Sequence, residues 1–215
     1  MAAGSRPPFH VLHGRVVPLR RNHVDTDQII PKQFLKRIER TGFGPFLFFD
    51  WRRGADGRPD PAFPLNQPRY AGATVLVSGP NFGCGSSREH AAWALADAGF
   101  RVVIASSFAD IFRANAIGNG LLPVTLAEAA AQTILDRAES GEGYAVTVDL
   151  DRLEVRDDRG LSERFSIDAA SRRRGFFPSG GAPVPRESEC HRGLSRSIGG
   201  PRRLAMAPDG SRFHA

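Results

Sequence analysis

Apolar positions along this chain change period twice, and the changes mark out its architecture. Residues 13–20 read as a strand, followed by a polar turn at 22–27. Phe34, Leu35 and Ile38 then recur at helical spacing, so residues 32–40 are expected to form a helix ended by Thr41 and Gly42. The aromatic-rich stretch 43–51 suggests a second short helix beginning after Pro45, and residues 52–70, with several Pro, Gly and Asp, read as a long surface loop. The middle is the most regular part. Short apolar strands at 74–78, 101–106 and 121–125 alternate with helical patterns at 87–98, 108–117 and 127–140, and Gly99 supplies a left-handed stop for the first of these helices. Alternation at that spacing predicts parallel βαβ units. After Gly143 the period falls to two, and residues 144–150, 152–156 and 164–167 read as an antiparallel meander. The fold class is therefore α/β, a parallel portion followed by an antiparallel one, with no internal repeat.

From about residue 170 the pattern dissolves. Residues 171–215 are dense in Arg, Gly, Pro and Ser and carry no sustained period. Such a composition cannot bury enough apolar surface to offset chain entropy. The expected organisation is one domain over residues 1–170 and a disordered or weakly attached tail over 171–215.

Charge follows the same division. The net charge of +6 and a pI near 10.3 suggest a nucleic-acid partner when averaged over the chain. Residues 1–170, however, hold 20 basic and 20 acidic side chains, whereas 171–215 hold nine arginines against three acidic residues. The excess lies wholly in the tail, and basic tails are commonly just solvated. No nucleic-acid partner is expected. No apolar run is long enough for a membrane span, and the first residues lack the apolar core of a secretory signal, so a cytoplasmic location is expected. The two cysteines, Cys84 and Cys190, are too few to hold a three- or four-cysteine iron–sulfur cluster. Any such cluster has to come from another chain.

The segment richest in chemistry is Asn81-Phe82-Gly83-Cys84-Gly85-Ser86-Ser87-Arg88-Glu89-His90, between a strand and a helix. Gly83 and Gly85 permit a tight bend and a close ligand approach. Unpaired N–H groups at the helix start favour an anion, and Arg88 can add a forked grip on a carboxylate. Ser86 and Glu89 also match the Ser-x-x-Glu capping box. Both readings stand together: a hydroxyl that accepts helix N–H bonds would be stabilised by them as an alkoxide, allowing Ser86 to act as a base. The turn lacks the third glycine of a dinucleotide fingerprint and the Gly-Lys-Ser/Thr of a P-loop. A Cys84–His90 nucleophile pair is conceivable, but His90 has no evident orienting acid, and a small buried cysteine is the blander account.

Read with His23-Val24-Asp25-Thr26-Asp27-Gln28-Ile29-Ile30-Pro31, Ser107-Phe108-Ala109-Asp110-Ile111-Phe112 and the shorter stretches around Lys32, Arg40, Asp50 and Arg164, this turn resembles the small subunits of 3-isopropylmalate dehydratase. These form a swivelling-domain branch of the aconitase superfamily, and the likeness spans roughly residues 8–169. The resemblance implies a swivelling β/β/α-barrel-like fold. It implies a hydro-lyase that interconverts 2-isopropylmalate and 3-isopropylmalate in leucine biosynthesis, by removing and re-adding water through an alkene. It also implies a large partner subunit carrying a [4Fe-4S] cluster, with no cofactor on this chain and a small diacid as substrate. On the matching positions, Ser86 is the catalytic base, and Ser87 and Arg88 bind the substrate carboxylate. Asp25, Thr26 and Asp27 support the site, or are simply turn residues with local hydrogen bonds. The loop at 32–42 corresponds to the substrate-discriminating loop, where Phe34, Leu35 and Ile38 either face the isopropyl group or pack into the core.

After Asp168 the likeness fails, leaving only a trace at Arg172-Arg173-Arg174-Gly175-Phe176-Phe177. Loss of the family's last helix would expose core surface and weaken pairing with the large subunit. Two other functions fit the same turn: service in a related hydro-lyase acting on homoaconitate, citraconate or dimethylmalate, or a non-catalytic module that has lost its partner.

Overall fold

The protein is described by a computed structural model covering residues 10–35, 41–86, 88–141 and 143–171. Its elements in chain order are β1 (Val11–Leu19), α1 (Thr26–Ile29), β2 (Val75–Ser78), α2 (Glu89–Asp97), β3 (Val102–Ala105), α3 (Asp110–Gly118), β4 (Leu122–Thr125), α4 (Glu128–Ser140), β5 (Ala145–Asp149), β6 (Glu154–Arg156) and β7 (Ser162–Arg164). The seven strands form one mixed sheet in the order β4-β3-β2-β1-β5-β6-β7. Pairing is parallel from β4 to β1 and antiparallel from β1 to β7. The predicted change from βαβ units to a meander is thus the change of pairing sense within the sheet.

β1 joins the two regimes by dividing its length. Val11 to Arg15 pair antiparallel with β5, whereas Val16 to Leu19 pair parallel with β2. Both faces of the parallel portion are covered, as such sheets require. Alternation of side chains sends Val16, Val75, Val77, Val102 and Ile104 to one core, shared with Ile134, Leu135 and Ala138 of α4 and with the meander. Val17, Leu76, Val103 and Ala105 face the other, shared with Ala91, Ala94 and Leu95 of α2 and Phe112 and Ala116 of α3. The helix that lies directly on the strands is α4, whereas α2 packs on α3 and against the backbone at Gly44, which abuts Asp97 and Ala98.

The aromatic segment before β2 folds differently from its periodicity. Residues 32–40 do not begin as an α-helix: Lys32–Phe34 form a single 3-10 turn, and residues 36–40 lie outside the described residues. Gly44–Phe46 is likewise a 3-10 turn, started by Pro45. Phe34 stacks on Phe46 at 4.2 Å and meets Phe49 edge-on at 4.8 Å, so ring packing, not helical repetition, explains the aromatic spacing. The long loop that follows contains two further 3-10 turns, Pro64–Asn66 and Pro68–Tyr70. The 171–215 tail, apart from Ser171, lies outside the described residues, as does Cys190.

Candidate functional site at the glycine turn

Three connections leave the carboxyl ends of β1, β2 and β3 side by side, where open α/β sheets commonly bind ligands. Backbone bonds tie them together. The His23 amide donates to the Pro80 carbonyl at 2.9 Å, Gly83 to Val24 at 2.8 Å, and Thr26 to Cys84 at 2.9 Å. From the third connection, Ser107 accepts the Asn81 amide on its Oγ at 2.8 Å and the Phe82 amide on its carbonyl at 3.1 Å. The His23–Pro31 and Asn81–His90 motifs, distant in sequence, are therefore one structure.

The bend between them depends on two glycines. Gly83 has φ +78°, and a Cβ there would lie 2.2 Å from the Phe112 ring. Gly85 has φ +83°, and a Cβ there would lie 2.1 Å from Asp25 Oδ2. Only glycine accommodates both the backbone and the neighbour. Asp25 is held in that position because it caps α1. Its Oδ1 accepts the Asp27 amide at 2.7 Å, and Gln28 Oε1 accepts the Asp25 amide at 2.9 Å, a reciprocal capping box. The Asp-x-x-Gln spacing was present in the sequence as a signal for this cap.

The capping box expected of Ser86 and Glu89 is not formed. α2 begins at Glu89, its N-cap residue is the extended Arg88 (φ −119°, ψ 141°), and no side chain caps it. Glycine at 85 and the docking of Asp25 carry the chain past Ser86 before the helix can start. Ser86 is exposed, and its recorded partner is the Arg88 guanidinium, whose Nη2 lies 3.5 Å from Ser86 Oγ, the outer limit of a hydrogen bond. Arg88 Nη1 is also 3.4 Å from Asp27 Oδ1. Helix amides therefore do not stabilise the Ser86 oxygen here; the guanidinium is the positive group at hand. Ser87 lies outside the described residues.

Of the other expected residues, Asp25 and Asp27 are brought to the turn, and Thr26 is buried beneath it with an Oγ1 that has no hydrogen-bond partner among the described residues. Phe34 and Leu35 are half-buried against the core on the α2 face, while Ile38 lies outside the described residues. Lys32 was not singled out by its sequence pattern, yet its Nζ is 3.0 Å from Asp27 Oδ2. The stretch around Lys32 was noted as part of the resemblance, but nothing in the sequence pairs this lysine with Asp27. Burial, with Asp25 nearby, pushes the Cys84 thiol up from its ordinary range, and burial, with Arg88 nearby, pushes the His90 imidazole down. His90 packs against Trp93 at 4.7 Å and edge-on to Phe43 at 5.4 Å. A protonated thiol and a ring held among aromatics argue against a Cys84–His90 nucleophile pair.

Residues 6–129 match the aconitase C-terminal domain family, and residues 132–169 match the LeuD_N family. A 3-isopropylmalate dehydratase small subunit from Acidobacterium capsulatum is 62% identical over 165 residues, covering 77% of each chain. The chain belongs to the 3-isopropylmalate dehydratase small-subunit family. Another relative of that name, from Geobacillus kaustophilus, is 56% identical over 161 residues, 75% of this chain and 81% of its own. Among solved structures, a 3-isopropylmalate dehydratase from Methanocaldococcus jannaschii is 31% identical, with a TM-score of 0.56 over 75% of this chain and 86% of that one. The small-subunit name implies a large partner, and the α/β fold is that of the family. No helix among the described residues is long and apolar enough to cross a membrane.

Proposed function

We propose that this chain is the small subunit of the leucine-pathway hydro-lyase that interconverts 2-isopropylmalate and 3-isopropylmalate by dehydration and rehydration. The observation that carries the reading is the Arg88 guanidinium, within reach of the Ser86 hydroxyl on one side and the Asp27 carboxylate on the other. Ser86 takes and returns the substrate proton, and Arg88 lowers the cost of the alkoxide by its adjacent charge. Arg88, with Ser87, grips a substrate carboxylate through its planar fork. Asp25 fixes the bend on which Ser86 stands, and Asp27 orients Arg88. In the loop, Phe34, Leu35 and Ile38 are the candidates for discrimination between diacids.

Two cysteines do not suffice for a cluster, and among the described residues no group of three or more His, Cys, Asp or Glu side chains converges as metal ligands. This chain's residues thus do not fit a [4Fe-4S] cluster, which the proposal assigns to the large subunit. The small subunit's part is confined to the proton and a carboxylate. The balanced charge of residues 1–170 favours a diacid over nucleic acid as the ligand.

The test is anaerobic co-expression with a large subunit and an isomerase assay of wild type and Ser86→Ala. Ser86 is exposed, so the variant is expected to assemble normally and lose turnover by roughly a hundredfold or more. Near-normal turnover would remove Ser86 as the base. Preference of the wild-type pair for homoaconitate, citraconate or dimethylmalate would overturn the substrate assignment.

A further inference from the structure

Lys32 has no part in the reading above, yet it shares a carboxylate with Arg88. Its ammonium is 3.0 Å from Asp27 Oδ2, while Arg88 Nη1 is 3.4 Å from Asp27 Oδ1, so each oxygen of one carboxylate faces its own cation. The Lys32 side chain is 69% exposed, against 32% for Asp27 and for Arg88. An ion pair that open contributes little to folding, and the 3-10 turn it begins does not rest on its side chain, since residues 32–34 contain no buried position.

What the pair does change is the charge that a diacid meets. Asp27 both holds Arg88 and repels an arriving carboxylate. With Lys32 on its second oxygen, most of that negative charge is compensated, and Arg88 can exchange Asp27 for the substrate's carboxylate. We infer that Lys32 is a positioning residue for substrate capture, acting through Asp27 by neutralising it so that Arg88 is free to take the diacid. The inference rests on the proposed role of Arg88 as the carboxylate receptor. Because the same carboxylate contact persists from the bound substrate into the transition state, its effect falls on KM rather than on kcat.

The experiment uses the reconstituted two-subunit enzyme with 2-isopropylmalate as the probe. Lys32→Met is expected to raise KM about three- to tenfold and leave kcat within about twofold, with the melting temperature of the isolated chain unchanged. Lys32→Arg is expected to restore KM. In an Asp27→Asn background there is no charge left to unmask, so adding Lys32→Met should have little further effect on KM. An unchanged KM in Lys32→Met, with the wild-type pair active, overturns the inference alone. An equal rise in KM in both backgrounds also overturns it, because Lys32 would then touch the substrate directly. Complete loss of turnover in Asp27→Asn overturns the screening role by making Asp27 part of the chemistry. A wild-type pair that forms but does not act on 2-isopropylmalate overturns instead the functional reading on which the inference rests.

Discussion

Replacing Gly85 by alanine tests whether the glycine turn is built on the cap of α1. At φ +83° a Cβ would stand 2.1 Å from Asp25 Oδ2, 2.5 Å from its Cγ and 2.6 Å from Oδ1. A left-handed alanine costs roughly 1–2 kcal/mol wherever it occurs. The carboxylate must also move, and it is short and fixed by the 2.7 Å bond from the Asp27 amide, so moving it breaks the cap. Losing such a cap costs about 1 kcal/mol. The expected total is roughly 2–3 kcal/mol, read as a shift of the urea midpoint of the isolated chain at constant slope. Asp25→Ala alone should cost about 1 kcal/mol, and with the carboxylate gone Gly85→Ala should then cost only the backbone part, roughly 1–2 kcal/mol. A destabilisation below about 0.5 kcal/mol for Gly85→Ala, or equal costs in the two backgrounds, would refute the argument that Asp25 and Gly85 are fitted to each other.

Two other perturbations probe the neighbouring claims. Phe34→Ala removes a ring stacked on Phe46 and set edge-on to Phe49, and should cost about 1–3 kcal/mol by denaturation; unchanged stability with altered preference among diacids would return Phe34 to the substrate side. The Asp157 carboxyl is held down to about 2, because hydrogen bonds from Tyr144 at 2.7 Å, from the Leu161 amide at 2.9 Å and from Arg137 outweigh the upward push of burial. A depressed value means stability that is fully present above the ordinary carboxylate range near 3.8 and lost as pH falls through about 2. The stability gap between wild type and Asp157→Asn should therefore close as pH drops from about 5 to about 2, and a gap that stays constant would count against the assignment.

Where burial alone decided the outcome, the sequence was legible. The strands at 75–78 and 102–105 are apolar on both faces because helices cover both, and that continuous pattern predicted parallel units. The switch to alternation after Gly143 likewise marked β5 and β6, but the last strand was expected at 164–167 and lies at Ser162–Arg164, where pairing with β6 sets its place. Local conformation was less legible wherever a distant contact overrode a short-range preference. Ser86 and Glu89 have the spacing of a cap, but the Asp25 carboxylate against Gly85 holds the turn open and delays α2 to Glu89. Phe34 and Leu35 were expected to open a helix, but Phe34 stacks on Phe46 and Lys32–Phe34 form a 3-10 turn, while Ile38 lies outside the described residues. That the two motifs meet was foreshadowed by their joint resemblance to one family, and the structure ties them by backbone bonds. Individual contacts were not legible: Lys32 and Ser107 stand in matching stretches, but that they reach this turn follows only from the folded connections after β1 and β3.

The exposure of the turn bears on how much of a site this chain is. A serine hydroxyl is a weak base in water, and it becomes effective only where solvent is excluded and a positive group lies close to the forming alkoxide. The chain supplies the second condition, through Arg88, but Ser86 and Gly85 are both exposed and Arg88 keeps 32% of its side-chain surface open. Ser86, the proposed proton acceptor, is thus exposed at the turn. The recess of about 360 Å³ beside Tyr144, Thr147 and Arg156 is lined by the antiparallel strands and their loops and contains none of the turn's residues. Catalysis by Ser86 consequently requires a second surface to close over the turn, and the same closure would strengthen the Arg88–carboxylate contact by removing water from around it. If Ser86 is the base as proposed, this is a physical reason for the large partner that the small-subunit name implies, quite apart from the cluster that the partner is proposed to hold.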